Sequence, residues 1–325
     1  MEANHSLRMM TKVARLYHTH GLRQTEIATR LAISQSKVSR LLQQAEEAHI
    51  VRTVVAVPVY VHSDLEEQIE QRFGIDEVHV IEATSDDESE IVRDLAVAAA
   101  SILGDVSLEA PTVGWTSWSR TLRATVDALM PLRIGAENVI EMVGDLGPPA
   151  LQHEAARSTQ QLAGLLGAEP MYLRIPGVVP TAEVARALLG QDTYVHHTLE
   201  LLDSLDLALL SIGAVDPSTP LQPGRNFFTG LQLEEVKRAG AVGEICMRYI
   251  DANGDPVAST LDELTIGVSL KQLRQARRRW AVVGGQRKHQ AIRAALAGGW
   301  IDVLVTDMAT AHHLAKEADP LPSSG

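Results

Sequence analysis

The sequence predicts an α/β fold in two parts: an N-terminal winged helix-turn-helix, then a doubly wound, mainly parallel α/β domain. Three observations carry that expectation. Residues 24–43 hold two short helical patterns divided by a tight break. From residue 77 onward, short β-rich runs alternate with helix-like stretches. Charge divides the same way, with net +4 on residues 1–57 and net −16 on the remainder.

In the head, Leu7, Met10, Val13, Ala14, Leu16 and Tyr17 give an amphipathic face that stops near His20-Gly21, where glycine is a natural helix end. Ile27, Ala28 and Leu31 then share a helical face, Ile33-Ser34 breaks it, and Val38, Leu41 and Leu42 restart it. Ser34 is placed to cap the second helix. Small Ala28 permits a close crossing, Ile33 and Val38 fill the angle, and Ala32 sits where such turns most often carry glycine. The second helix exposes Gln35, Ser36, Lys37, Ser39 and Arg40, whose side chains can exchange hydrogen bonds with base edges and phosphates. Together with Thr25 and Ser34 they are the candidate contacts to double-stranded DNA; the alternative is an ordinary αα-hairpin. A β-branched run at 50–57 reads as a strand or wing that brings Arg52 to the DNA backbone, and Pro58 closes this unit, residues 1–57.

Residues 58–76 read as a linker helix whose Leu65, Ile69 and Phe73 form a narrow stripe for the next domain or a second subunit, ended by Gly74. Strands are expected at 77–81, 112–115, 138–143, 169–175, 207–212, 242–249, 280–283 and 302–306. Helices are expected at 88–103, 119–130, 152–166, 181–188, 198–205, 232–239, 269–278, 286–297 and 309–318. That alternation means a parallel, doubly wound sheet over residues 77–318, with ligands bound beyond the carboxyl ends of its strands. Residues 319–325 read as a disordered tail.

Composition narrows the function classes. No run of about 18 or more uncharged apolar residues predicts a membrane span, and the N-terminus lacks the basic-then-apolar layout of a signal peptide. A lone Cys246 excludes an internal disulfide framework and suits a reducing compartment, so the expected location is cytoplasmic. The overall charge of −12 would argue against nucleic acid, but its distribution reverses that. A basic head on an acidic body can bind DNA with the head while the body repels non-specific phosphate contact.

Three strand-to-loop junctions carry candidate chemistry. In Thr112-Val-Gly-Trp-Thr-Ser-Trp-Ser119, the hydroxyls of Thr116, Ser117 and Ser119 and the free N–H groups of the following helix make either an anion cradle or a simple helix cap. In Val282-Val-Gly-Gly-Gln-Arg-Lys288, paired Gly284 and Gly285 let a ligand approach the backbone. Lys288 there opens a helix, where a cation opposes the dipole unless an anion is present; a phosphate would resolve the conflict. In Gly243-Glu-Ile-Cys-Met-Arg-Tyr-Ile250, Glu244 can accept sugar hydroxyls or pair with a neighbouring arginine, and Cys246 reads as core in mid-strand.

The segments Gly240–Gly254, Val282–Gly299 and Val303-Leu-Val-Thr-Asp-Met-Ala-Thr-Ala311, with His153-Glu-Ala-Ala-Arg157 and Pro176-Gly-Val178, resemble the SorC/DeoR type of sugar-responsive bacterial transcription regulator. The resemblance runs from the head to about residue 316. It implies a winged helix-turn-helix ahead of an effector domain related in fold to sugar-phosphate isomerases, usually tetrameric and bound by a phosphorylated sugar or polyol. Carried over by motif, the loop Thr116, Ser117, Trp118 and Ser119 would hold phosphate, Glu244 would accept hydroxyls, Lys288 would meet an anionic or carbonyl end, Asp307 would lie nearby, and Gly114, Gly284 and Gly285 would belong to the same effector site. Some relatives hold their sugar through a lysine at the strand end matching Met142-Val-Gly-Asp145; no lysine stands there, so no Schiff base is expected.

Other clusters point to less. His18-Thr-His20, His196-His197 and His312-His313 lack a carboxylate or cysteine set at metal spacing, so no metal or cofactor is expected. The basic run Arg274-Gln-Ala-Arg-Arg-Arg279 is a solvated helix face, a subunit contact or a DNA contact. The rival function is a sugar-phosphate isomerase-like enzyme using Glu244, Lys288 and Asp307. The fused DNA reader favours a non-enzymatic regulator of a carbohydrate or polyol catabolic operon, in which effector binding alters how a homo-oligomer engages its operator.

Overall fold

The computed structural model describes residues 2–51, 62–190, 193–217, 221 and 226–316. Residues 52–57 of the expected wing, Arg52 among them, and the tail at 319–325 lie outside them; Ile50 and Val51 are described and form a bend, not a strand. Backbone contacts divide the chain into two units, residues 1–55 and 56–325.

The first unit is helical. Helix α1 (Glu2–Ala14) runs into a wider turn at Arg15–Thr19, followed by α2 (Gln24–Leu31) and α3 (Gln35–Glu47). Val13, Ile27, Val38 and Ala45 are fully buried where the three helices meet; a buried branched side chain contributes roughly 2 kcal/mol. Ser34 caps α3, its hydroxyl accepting from the Lys37 N–H at 3.2 Å. Ala32 closes α2 in the left-handed conformation, φ 50° and ψ 46°, which is why glycine suits this turn.

The second unit opens with α4 (Ser63–Phe73) and β1 (Glu77–Ile81). It continues through α5 (Glu88–Asp105), β2 (Ser107–Glu109), β3 (Thr112–Trp115), α6 (Arg120–Ala128), β4 (Arg133–Gly135) and β5 (Asn138–Glu141). Then come α7 (Pro149–Leu166), β6 (Glu169–Met171), α8 (Ala182–Leu189), α9 (Thr193–Leu201), β7 (Leu207–Leu210), β8 (Ile212–Gly213) and α10 (Gly230–Arg238). The order closes with β9 (Gly243–Ile245), β10 (Arg248–Ile250), α11 (Leu261–Leu264), α12 (Leu270–Gln275), β11 (Arg278–Val282), α13 (His289–Ala297), β12 (Val303–Asp307) and α14 (Met308–Ala315).

The main sheet has the order β1-β12-β11-β7-β3-β5-β6, and every neighbouring pair in it is parallel. Alternate residues feed opposite faces. Ala208 and Leu210 join one core with Ile292 and Leu314, while Leu207 and Leu209 join the other with Leu95, Leu122 and Leu162. Burial on both faces accounts for the unbroken apolar runs in the sequence. Strand order reverses between β3 and β7, so the loops after these two strands diverge and leave a crevice at the sheet's carboxyl edge.

The stripe on α4 is spent within this unit, where Ile69 is fully buried and Leu65 and Phe73 pack against the same core. Glu70 and Glu66, one turn apart, accept from the N–H groups of Val78 and Val80, both at 2.8 Å. That satisfies the open side of edge strand β1 and blunts it against further pairing.

Three expectations change. The run at 207–212 divides, with β7 in the main sheet and β8 pairing antiparallel with β9 in a separate three-stranded sheet. The run at 242–249 is not one strand: β9 and β10 form an antiparallel hairpin turned by Cys246 (φ 51°) and Met247 (φ 65°). Two successive positive-φ residues match a tight hairpin turn, and neither glycine nor asparagine marks it, so the apolar sequence conceals it. Cys246 therefore sits in a buried turn, its thiol 3.9 Å from Thr116 Oγ1. The helix expected at 269–278 ends at Gln275 because Arg278 already pairs with Leu207 in the sheet. The basic run is absorbed: Arg274 lies over Trp300 at 3.9 Å, while Arg277, Arg278 and Arg279 pair with Asp206, Glu77 and Asp302.

Candidate functional site

In the head unit, Gln35, Ser36, Lys37, Ser39 and Arg40 are all exposed along α3, and Thr25 and Ser34 are exposed beside them. Val38, Leu41 and Leu42 turn inward. The split follows from helical periodicity, and it leaves a polar, cationic face on a short capped helix. Such a face has the shape and donors for a major groove.

In the body, a pocket opens at the strand-order reversal. From the β3 loop come Trp118 and Ser119; from the β7 loop, Ser211, Gly213 and Asp216; from the hairpin, Glu244, Met247 and Tyr249; from the β11 loop, Gly284, Arg287 and Lys288. Ser119 caps α6, accepting from the Leu122 N–H at 3.3 Å. The free N–H groups of that helix start beside it, and Arg120 follows.

Glu244 is buried at 8% exposure. Its carboxylate accepts the Met247 N–H at 2.8 Å, a bond the tight turn makes possible. Gly213 stands opposite it, and a Cβ there would come within 1.9 Å of Glu244 Oε1 and displace the carboxylate. Burial pushes the Glu244 carboxyl up to about 7, with the Met247 hydrogen bond and nearby Lys288 pulling the other way. Lys288 is half-buried. Burial lowers its ammonium from the ordinary lysine range, opposed by Glu244 and Glu88 and reinforced by Arg120 and Arg287. Among the described residues no hydrogen bond or close ion pair holds that ammonium. Lys288 ends a short 3₁₀ turn, Gln286–Lys288, and immediately precedes α13, so the conflict between cation and helix dipole noted in the sequence is present in the fold.

Of the residues singled out in the sequence, Trp118, Ser119, Glu244, Gly284 and Lys288 meet on the pocket wall. Gly114, Thr116, Ser117, Gly285 and Asp307 stand behind it. Gly114 packs against Met142 and Leu205, and Thr116 donates to the Leu209 carbonyl at 3.3 Å. Asp307, 1% exposed, accepts from the Gly285 N–H (2.8 Å), the Thr310 N–H (2.9 Å) and the Thr310 hydroxyl (2.7 Å). It thereby shapes the loop that presents Lys288. Sequence reasoning passed over Tyr249, Gly213, Arg120 and Arg287. The two arginines adjoin residues already identified, whereas Tyr249 lay hidden in the apolar run read as a single strand. Elsewhere His313 stacks on His289 at 4.5 Å, and no group of three or more metal-ligating side chains occurs among the described residues. No described helix is long and apolar enough to cross a membrane.

Comparison with known proteins gives the family of the chain. Residues 57–316 match the family model described as "Putative sugar-binding domain". The chain is 31% identical to the deoxyribonucleoside regulator of Bacillus subtilis (strain 168), over 94% of this chain and 96% of that protein. It is 30% identical to the sorbitol operon regulator of Klebsiella pneumoniae, over 97% and 100% respectively. The crystal structure of full-length SorC from Klebsiella pneumoniae superposes with a TM-score of 0.71 at 27% identity, covering 95% of this chain and 99% of that one. The chain is a member of the SorC/DeoR family of transcriptional regulators, with a sugar-binding domain at residues 57–316.

Proposed function

We propose that this protein is a DNA-binding regulator of a carbohydrate or polyol catabolic operon, controlled by a phosphorylated sugar or polyol. One observation carries the effector reading: Glu244 and Lys288, 44 positions apart in sequence, line the same pocket with opposite perturbations of their ionisation. A buried carboxylate accepts hydroxyls, and an unpaired cation beside a helix N-terminus accepts an anion. A ligand carrying hydroxyls and a phosphate satisfies both. Ser119 and the start of α6 offer further donors for the phosphate, and Asp307 acts by holding the Gly285 loop.

The exposed face of α3 reads operator DNA, with Arg40 and Lys37 the main cationic contacts. A homo-oligomer, a tetramer in this reading, sets two such faces across a two-fold operator in the cytoplasm and gains affinity by multivalency. Effector binding shifts the arrangement, and a coupling of about 1–3 kcal/mol is enough for a useful switch. The same groups could serve an isomerase as acid, base and anchor. The relatives named above are regulators, which favours binding without turnover.

A thermal-shift screen against sugar and polyol phosphates, paired with operator mobility shifts, tests the proposal. Arg40→Ala is expected to abolish operator binding and leave effector binding intact. Lys288→Ala is expected to retain operator binding and lose the response to effector. Operator affinity unchanged in Arg40→Ala would remove α3 as the reader, and an unchanged effector response in Lys288→Ala would remove Lys288 from the site.

A further inference from the structure

The pocket contains a buried polar group that no described residue engages. Tyr249, on β10, is 2% exposed and lines the pocket, yet its hydroxyl has no hydrogen-bond partner among the described residues. Burying a hydroxyl without a partner costs free energy, and most buried polar groups in folded proteins avoid it. Phenylalanine would fill the same space without that cost.

Three features hold the hydroxyl in place. The hairpin register sets Tyr249 directly opposite Glu244, so the two side chains leave the same face of the ribbon. The Phe228 ring, 5.8 Å away between centroids, walls one side. On the opposite face Arg248 pins the strand, donating to the carbonyls of Val268 at 3.1 Å and Asp262 at 2.7 Å. The turn that joins the two strands is itself unfavourable for its residues, with Cys246 and Met247 both at positive φ. Strain of this kind persists where the surrounding structure enforces it and clusters at ligand sites. Burial, Glu244 and Asp216 all raise the phenol's ionisation range, so it remains protonated and able to donate.

We propose that Tyr249 determines specificity in this pocket, its phenol donating to a ligand oxygen beside the hydroxyl that Glu244 accepts. The ligand thus carries at least two neighbouring oxygens in addition to its anion, and an analogue lacking one of them is rejected. This inference rests on the reading of the pocket as an effector site.

The test uses the full chain, wild type and Tyr249→Phe, with calorimetric titration of glucitol 6-phosphate, ribose 5-phosphate, 2-deoxyribose 5-phosphate and inorganic phosphate, and thermal unfolding without ligand. Unliganded Tyr249→Phe is expected to melt at or above the wild-type temperature. Its affinity for the sugar or polyol phosphate that wild type binds best is expected to fall roughly five- to a hundredfold, with inorganic phosphate binding changed less than about twofold. Unchanged affinity for that compound would overturn the assignment of Tyr249 alone. So would an equal loss for inorganic phosphate, or a clear drop in unliganded melting temperature, since either makes the hydroxyl structural. Failure of wild type to bind any of the three organic phosphates overturns the effector reading, and this inference with it.

Discussion

Glu244→Gln tests the electrostatics of the pocket without any ligand. The wild-type carboxyl stands at about 7, against an ordinary 4.5. A difference of that size corresponds to about 3 kcal/mol of pH-dependent stability. The sign follows from the direction of the shift. A carboxyl raised on folding favours the folded state while it is protonated, so its contribution is complete below about pH 4.5 and lost as pH rises through about 7. The unfolded chain ionises first, and the folded chain must then bury the charge. Glutamine has nearly the same shape, keeps an oxygen to accept the Met247 N–H, and cannot ionise. Melting temperatures of both proteins between pH 5 and pH 8.5 are the assay. The variant is expected to gain on wild type as pH rises, by on the order of 5–10 °C at the alkaline end for a domain of this size. A gap that stays constant across this range would refute the buried, raised carboxylate. A wild type that gains on the variant with rising pH would show that the carboxylate is stabilised by its surroundings instead.

Three further outcomes are expected. Effector affinity should rise with pH through about 7, because a ligand hydroxyl donates to the ionised form of Glu244; calorimetry at pH 6 and pH 8 checks it. Gly213→Ala puts a Cβ within 1.9 Å of Glu244 Oε1, so it should weaken effector binding at least about tenfold by displacing the carboxylate, with operator affinity unchanged in a mobility shift. Ala32→Gly should stabilise the head by about 0.5–1 kcal/mol. The relief of a left-handed alanine, about 1–2 kcal/mol, exceeds the added freedom of glycine in the unfolded chain; amide exchange protection across α2 and α3 reads the change.

The legible part of the fold was the part governed by local periodicity. Ile27, Val38 and Leu42 face inward because helical spacing puts them there, and Ser34 caps α3 because its hydroxyl reaches the Lys37 N–H. The strands of the main sheet were readable because a parallel sheet buried on both faces demands continuous apolar runs. The hairpin was not, because two positive-φ residues of ordinary type turn the chain inside such a run. The basic run at 274–279 is not one helix face for a related reason. Three of its four arginines pair with Asp206, Glu77 and Asp302, which are distant in sequence.

For the candidate site, the sequence by itself marked loops that the fold brings to one pocket. Glycine pairs, helix caps and a lysine at a helix start are local chemistry, and they marked the regions around Ser119, Glu244 and Lys288. Only the tertiary structure decided which of their side chains face the ligand space. Thr116 is bonded to the Leu209 carbonyl, Ser117 is not on the pocket wall, Asp307 is committed to holding the Gly285 loop, and Tyr249, opposite Glu244, has a hydroxyl without a partner among the described residues. The reason is physical. The pocket forms where strand order reverses between β3 and β7, and that reversal brings together segments separated by more than a hundred residues, whose relative orientation no local pattern encodes.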